Sequence, residues 1–401
     1  MMKKMGKMKL FDEIKKSRPA DVITSAVFCA AIFALAILTF ALPQKDFSEN
    51  ENRALATSGG VFGGMSAAKV FDGSFESEIA DLYRDQFPAR AQMLGIRAVS
   101  DRILLLGETG GVIYGKSGYM IPRPDGGTDA AEKNLAAVEA FRAAVEGDGK
   151  TFVFAAAPRP ADALYPYYPA GYRGSELAAA REAVFPACSY ATDLLEVLRP
   201  SVDAGDYVYY RTDHHWTTEG AYLASCEILR LLGKEPVDRS LLTVETASDS
   251  FLGTTHSKTL DPFATADRID YYRFEGDEEY TTLIVDTGRE FDGFYDRSFL
   301  ETKDKYSSFF GGNNGRIRVT EKGAGEGERE VLLVVKDSYA HAVLPFLAYY
   351  YDLDVVDPRY YMSSVYRTSA EDGCSAVLIL CGIDTVAGSP ALARVSFGTG
   401  K

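Results

Sequence analysis

The longest run of apolar positions comes first along the chain. Val22 to Pro43 reads VITSAVFCAAIFALAILTFALP without one charged residue; wound as a helix at about 1.5 Å per residue, it matches the roughly 30 Å of a bilayer's hydrocarbon core. Residues 44–70 then mix charge, Asn, Ser and Gly with no period, the pattern of a tether. Helical spacing sets in with Phe75, Ile79, Leu82 and Tyr83, breaks at Pro88, and resumes with Met93, Ile96, Val99, Ile103 and Leu104. It predicts two helices packed on a larger domain.

Beyond Gly110 the period switches repeatedly between strand and helix. GVIYGKSGYMI predicts a hairpin turning at Lys116-Ser117-Gly118, and Leu135, Val138, Phe141 and Val145 share one face of a helix near 129–146. TFVFAAAP reads as a short buried strand. A helix near 176–197, a strand VYYR, a helix over 218–232 closed by Gly233 and a polar, Asp-rich region over 235–315 follow. VLLVV, LDVVD and AVLILCG are then continuous apolar runs, with a helix over 340–350 after the first. Such runs suit a sheet buried on both sides. The expected fold class is therefore α/β, a mostly parallel sheet covered by helices on both faces, preceded by one N-terminal transmembrane helix. The chain divides into a basic tail (1–21), the membrane helix (22–43), a linker (44–70) and one large domain (71–401) whose first part, 71–110, is helical.

Charge orients this arrangement. Lys3, Lys4, Lys7, Lys9, Lys15, Lys16 and Arg18 all precede the apolar run, so the N-terminus is expected in the cytoplasm and the domain outside the cell membrane. A cleaved signal peptide is the rival, with Ala34-Leu35-Ala36 as its site, although Ile37 to Leu42 continue the apolar run past that point. Either way the body lies outside. The net charge is −14 while the first twenty residues are basic, and so acidic a body repels phosphate backbones, which excludes nucleic acid as a partner. Five Cys with no C-x-x-C pair support neither a disulfide scaffold nor a thiolate metal site. Cys374 and Cys381 flank one expected strand of about 20 Å, too far apart to bond each other.

Two places could carry chemistry. Two of the four His lie in Thr212-Asp213-His214-His215-Trp216, just before a helix. An Asp two residues before a His can turn back to accept its ring N–H, the orienting half of a catalytic triad, whereas two surface His in a helix-entry loop are the plain alternative. A metal at Asp213, His214 and His215 lacks a further ligand nearby. The second place is Lys336-Asp337-Ser338-Tyr339-Ala340, where the buried strand VLLVV gives way to a helix, the end at which α/β sheets assemble sites. Ser338 there could act as a nucleophile beside helix N–H groups, or Asp337 and Ser338 could simply cap the helix. Phe309-Phe310-Gly311-Gly312-Asn313-Asn314-Gly315 is a turn in which Gly312 allows close backbone approach and the Asn313 amide could donate to an oxyanion. Arg159 follows the strand TFVFAAAP and could steady an anion; Tyr339 sits beside Ser338 as a candidate substrate contact. His256 and His341 read as bystanders.

With Asp213-His214-His215-Trp216 the sequence resembles the DHHW family, and through it the alginate O-acetylation proteins of the SGNH hydrolase-like group. The likeness extends to Phe47-Ser48-Glu49-Asn50-Glu51-Asn52-Arg53, Asp85-Gln86-Phe87-Pro88-Ala89-Arg90, Gly115-Lys116-Ser117-Gly118, Gly311-Gly312-Asn313 and Lys336-Asp337-Ser338, about residues 47–340. The resemblance implies a permuted SGNH hydrolase-like fold with Asp213, His215 and Ser338 as the triad and His214 in the variable position. One departure is Gly382-Ile383-Asp384-Thr385 where SGNH enzymes place Gly-x-Asn-Asp; an ionised Asp cannot donate, so the Ser338 N–H and Asn313 are the expected oxyanion donors. The expected function is a membrane-anchored, extracytoplasmic O-acyltransferase that acetylates a surface or exported polysaccharide, needing no cofactor or metal. The resemblance further implies a membrane-bound O-acyltransferase partner. A carbohydrate O-acetyl esterase and a non-catalytic polysaccharide-binding scaffold are the rivals.

Overall fold

The computed structural model describes residues 18–124, 127–172, 178–325 and 327–400. The lysines of the basic tail lie outside the described residues. The chain divides into two compact units between Ile96 and Arg97.

In the first unit, Pro19–Ala41 forms one helix, long and apolar enough to cross a membrane by length and composition. Residues 44–70 hold a two-residue antiparallel pair, Phe47–Ser48 with Arg53–Ala54, and two short helices, Ser58–Gly63 and Ala67–Phe71. The helix Ser74–Asp85 follows. Two motifs distant in sequence are joined here by guanidinium–carboxylate pairs. Arg53 grips Asp85 through Nη1 and Nη2 (3.0 and 2.5 Å), and Arg90 grips Glu51 through Nε and Nη2 (2.8 and 3.0 Å). Asp85 also accepts from the Ala56 N–H at 2.9 Å. Fork-to-carboxylate geometry of this kind fixes direction as well as energy.

The second unit is built on an eight-stranded sheet. In chain order its strands are β1 (Thr151–Ala157), β2 (Ala191–Asp193), β3 (Tyr280–Ile284), β4 (Arg289–Asp292), β5 (Arg316–Glu321), β6 (Val331–Lys336), β7 (Asp352–Val356) and β8 (Ala376–Gly382). Their order across the sheet is β4-β3-β5-β7-β6-β8-β1-β2. The five from β7 to β2 are mutually parallel, and β5, β3 and β4 add antiparallel pairs at one side. Alternate residues explain why the central strands are apolar throughout. Leu332 and Val334 enter one core with Val153, Leu378 and Leu380, while Leu333 and Val335 enter the other with Phe154, Val377 and Ile379. Helices cover both faces: Thr218–Leu231 and Leu344–Ala348 pack in the first core, Ala131–Gly147 and Ile383–Gly388 in the second. The chain leaves β6 for β7 on one side and returns to β8 on the other. The carboxyl ends of β6 and β8 thus frame a topological switch point, where α/β sheets open a crevice.

Three expectations need correction. The helix near 176–197 is instead Ala179–Val184, strand β2 and helix Leu195–Ala204, because Pro186 removes a helical donor where the first helix ends. VYYR is no sheet strand: Tyr209 and Trp216 form an isolated antiparallel bridge, so Val208 to Thr217 is a tight hairpin. The polar stretch 235–315 contains β3, β4 and a separate antiparallel pair, Thr243–Phe251 with Asp267–Arg273. Their alternation of buried and open positions, as in Tyr280–Ile284, serves strands covered on one side, which composition alone renders as polar.

The Glu51 and Asp85 pairs make an acid-sensitive joint. Burial alone would raise both carboxyl pKa values, but the Arg90 and Arg53 guanidinium groups outweigh it and hold both below the ordinary range. A depressed carboxyl stabilises fully above its unfolded pKa, about 4 for these residue types, and loses that contribution as pH falls through the folded value. Hydrogen exchange of residues 45–90 should therefore be flat from pH 7 to about 5, after correction for intrinsic rates, and accelerate below about 4. Asp85→Ala should shrink that step to the Glu51 contribution and lower the unit's stability by about 1–3 kcal/mol at neutral pH.

Candidate active site

The hairpin Val208–Thr217 presents Asp213, His214 and His215 from its tip. Its stem is closed by Tyr210 N–H to the His215 carbonyl (3.2 Å) and Thr217 N–H to the Val208 carbonyl (3.0 Å), and Thr217 then caps the helix Thr218–Leu231. Buried Asp267 fixes the near side of the tip, accepting from the backbone N–H groups of Arg211 and Thr212 (2.9 and 2.8 Å) and from the Thr212 hydroxyl (2.6 Å). The Asp213 carboxylate is buried and divides its two oxygens. Oδ1 accepts from the His215 N–H (2.9 Å) and lies 2.5 Å from His215 Nδ1; Oδ2 accepts from the Thr254 N–H and hydroxyl (2.7 and 2.9 Å). Gly253 is required beside it, since a Cβ there would lie 2.3 Å from Oδ2. Burial alone would raise the Asp213 pKa, but the two imidazoles and the Thr254 N–H prevail and hold it well below the carboxylate range. An ionised carboxylate only accepts, so His215 Nδ1 carries the proton and Nε2 is left to accept.

That acceptor faces the second motif. His215 Nε2 is 2.7 Å from Ser338 Oγ, across 123 positions of sequence. Ser338 lies two residues past the end of β6 and opens a short 3₁₀ turn, Ser338–Ala342. Capping and chemistry are shared between neighbours here. Asp337 caps the turn through the Tyr339 N–H (3.0 Å) and ties it to β8 through the Gly382 N–H (2.7 Å) and Thr385 hydroxyl (2.6 Å), which leaves the Ser338 hydroxyl to His215. Two reciprocal bonds lock hairpin to turn: Trp216 Nε1–H donates to the Tyr339 carbonyl (2.9 Å), and the Tyr339 hydroxyl donates to the His214 carbonyl (2.7 Å). Trp216 is fully buried.

Tyr306, unremarked in the sequence, completes the arrangement. Its ring lies 4.0 Å from the His215 ring at an interplanar angle of 10°, and its hydroxyl donates to the Ser338 carbonyl at 3.2 Å. The other face of His215 meets the His214 ring at 3.8 Å. No local signal marked Tyr306, because it comes from a 3₁₀ turn within the polar stretch. Beneath the Ser338 turn, fully buried Lys336 donates to His341 Nε2 (2.7 Å) and Asp357 (3.3 Å), and Asp357 in turn accepts from Arg359 through Nε and Nη2 (2.9 and 2.6 Å). His341 is thus a support of the turn.

Ser338 opens into a cleft of about 450 Å³ lined by Arg123, Arg159, His214, Lys258, Tyr339, Arg359 and Asp384, among others. Arg159 sits there as expected, but its guanidinium is committed to Asp162 (2.8 and 3.0 Å) and Asp384 (3.1 Å). Asp384 is accordingly held as an ion-pair acceptor. Asn313 is exposed and accepts from Arg359 at 3.1 Å; neither it nor Gly312 lines the cleft. The metal-type atoms of Asp213, His214 and His215 come within 4.8 Å of one another, yet each is engaged in hydrogen bonds with its neighbours, Thr254 or Ser338. All five cysteines are unpaired.

Known proteins resemble this chain in sequence and in fold. A probable alginate O-acetylase, AlgJ, of Pseudomonas syringae pv. tomato is 27% identical over 177 residues, which cover 42% of this chain and only 45% of that protein. The solved DHHW family protein of Eubacterium siraeum superposes with a TM-score of 0.59 at 22% identity, covering 72% of this chain and 95% of its own. Bacillus cereus PatB1, solved with a sulfonyl adduct, gives 0.58 at 18% identity over 71% of this chain and 98% of its own. These two share the fold, a mostly parallel sheet covered by helices on both faces. The family model described as DHHW protein matches residues 189–356 of this chain.

Proposed function

We propose that the protein is an O-acyltransferase that moves acetyl groups onto hydroxyls of a polysaccharide through Ser338, His215 and Asp213. The observation that carries this reading is the unbroken hydrogen-bonded line from Asp213 Oδ1 through the His215 ring to Ser338 Oγ, at 2.5 and 2.7 Å. As Ser338 Oγ attacks the acyl carbonyl, its proton passes to His215 Nε2, and Asp213 stabilises the imidazolium. The tetrahedral oxyanion is held by the Ser338 N–H. Collapse expels the donor's leaving group, which takes the proton from His215, and leaves acetyl on Ser338. An acceptor hydroxyl then enters, gives its proton to His215 and attacks the ester; collapse returns the proton to Ser338. Tyr306 is a positioning residue: it fixes the plane of His215, favours the imidazolium through its ring face, and holds the Ser338 carbonyl.

The helix Pro19–Ala41 anchors the protein, with the basic N-terminus in the cytoplasm and the sheet outside the membrane, where polysaccharide is met. A membrane-bound acyltransferase that carries acetyl groups across the bilayer is the partner implied by the family resemblance.

With a chromogenic acetyl ester as donor, Ser338→Ala and His215→Ala should each lower turnover by about 10⁴-fold or more, and Asp213→Asn by about 10⁴-fold through the wrong tautomer. Equal rates for wild type and Ser338→Ala would refute the nucleophile. Adding an oligosaccharide acceptor should yield acetylated sugar; acetate alone would make the protein an esterase. Tyr306→Leu should lower kcat by about 10-fold or more with KM nearly unchanged, whereas Tyr306→Phe, which keeps the stacked ring, should recover most of that loss.

A further inference from the structure

The chain as a whole is acidic, but the cleft beside Ser338 is not. Four basic side chains line it: Arg123 is paired with Glu108 and Arg159 with Asp162 and Asp384, which leaves Lys258 and Arg359 to consider. Arg359 uses Nε and Nη2 on Asp357 and Asn313, while among the described residues Nη1 has no acceptor. The Asp357 carboxylate that orients it is shared with buried Lys336, so one negative charge faces two basic side chains. Lys258 is exposed at the cleft, with no carboxylate within ion-pair distance among the described residues. His214 lines the cleft with them. Its side chain is 37% exposed, yet its crowded surroundings together with His215, Lys258 and Arg359 hold the imidazole below its ordinary pKa against the pull of Asp213. The His214 ring lies 3.8 Å from the ring of His215 and so one step from the proposed nucleophile.

We infer that Lys258 and Arg359 form an anion subsite, taking a carboxylate or phosphate carried by the acceptor polymer and so placing a neighbouring hydroxyl at Ser338. The inference rests on the acyl-transfer reading for its purpose but not for its test. Arg359 is held by Asp357, so its Nη1 is presented with little ordering cost, and the charge of the acidic body is screened beyond about 8 Å at physiological salt. Attraction is therefore local: the polymer is drawn by contacts in the cleft and not by the field of the whole protein.

The test is calorimetric binding to the full chain in mild detergent, with no acyl donor present. The ligands are a galacturonate trisaccharide, its carboxyl-reduced neutral counterpart and a glycerol-phosphate trimer. At least one anionic ligand should bind about 10-fold or more tighter than the neutral one, and added salt should erode the difference. Which anion wins identifies its source. Lys258→Glu, at an exposed position where folding is not at stake, and Arg359→Gln should each reduce the preference to about threefold or less. Equal affinity for all three ligands, or a preference that survives both substitutions, overturns the subsite. Turnover through Ser338 without an anionic preference would remove only the subsite; anionic preference without turnover would remove only the acyl-transfer reading.

Discussion

The site depends on a reciprocal pair of hydrogen bonds between two loops far apart in sequence. Trp216 donates to the carbonyl of Tyr339, and Tyr339 donates back to the carbonyl of His214. The His215 ring lies alongside, within 5.2 Å of the Tyr339 ring, and reaches Ser338. Joining segments 123 residues apart costs loop-closure entropy that a single imidazole–hydroxyl contact could not offset. The buried indole and phenol supply what that contact lacks, apolar area together with hydrogen bonds in a low-dielectric setting. Gly382 belongs to the same lock, because a Cβ there would come within 2.8 Å of the Tyr339 ring.

Around that lock the buried carboxylates have partners that also set position. Asp213 is held by Thr254 on one oxygen and orients His215 with the other. Asp337 caps the Ser338 turn while binding β8, and Asp357 links Lys336 under the turn to Arg359 in the cleft. Buried carboxylates of this kind contribute little net stability when paired, but each leaves few alternative positions for the side chains it binds. A mechanism that moves one proton between fixed atoms benefits from that restriction.

Much of this was legible in the sequence, and the rest was hidden for physical reasons. The central strands announced themselves because burial on both faces demands unbroken apolar runs. Asp213, His215 and Ser338 stood out by residue type and spacing, and through their likeness to a family. The strands from Thr243 to Asp292 did not, since one-sided burial leaves half of their positions polar. Tyr306 and Thr254 act through contacts across the fold with no local pattern to mark them. Asn313 lies in the turn its glycines predicted, yet it does not line the cleft, and its amide oxygen accepts from Arg359. Arg159, expected to meet an anion, spends its guanidinium on Asp162 and Asp384, a pairing that linear sequence cannot display.

The central claim is that acetyl resides on one serine between two half-reactions. Peptide mass spectrometry of the protein, acid-quenched during turnover of an acetyl ester, tests it most directly. The account predicts the mass of one acetyl group on Ser338, absent from the His215→Ala protein and discharged when an acceptor oligosaccharide is added before the quench. Steady turnover with Ser338 unmodified at every time point, or acetyl on another residue that is discharged by the acceptor, would contradict it.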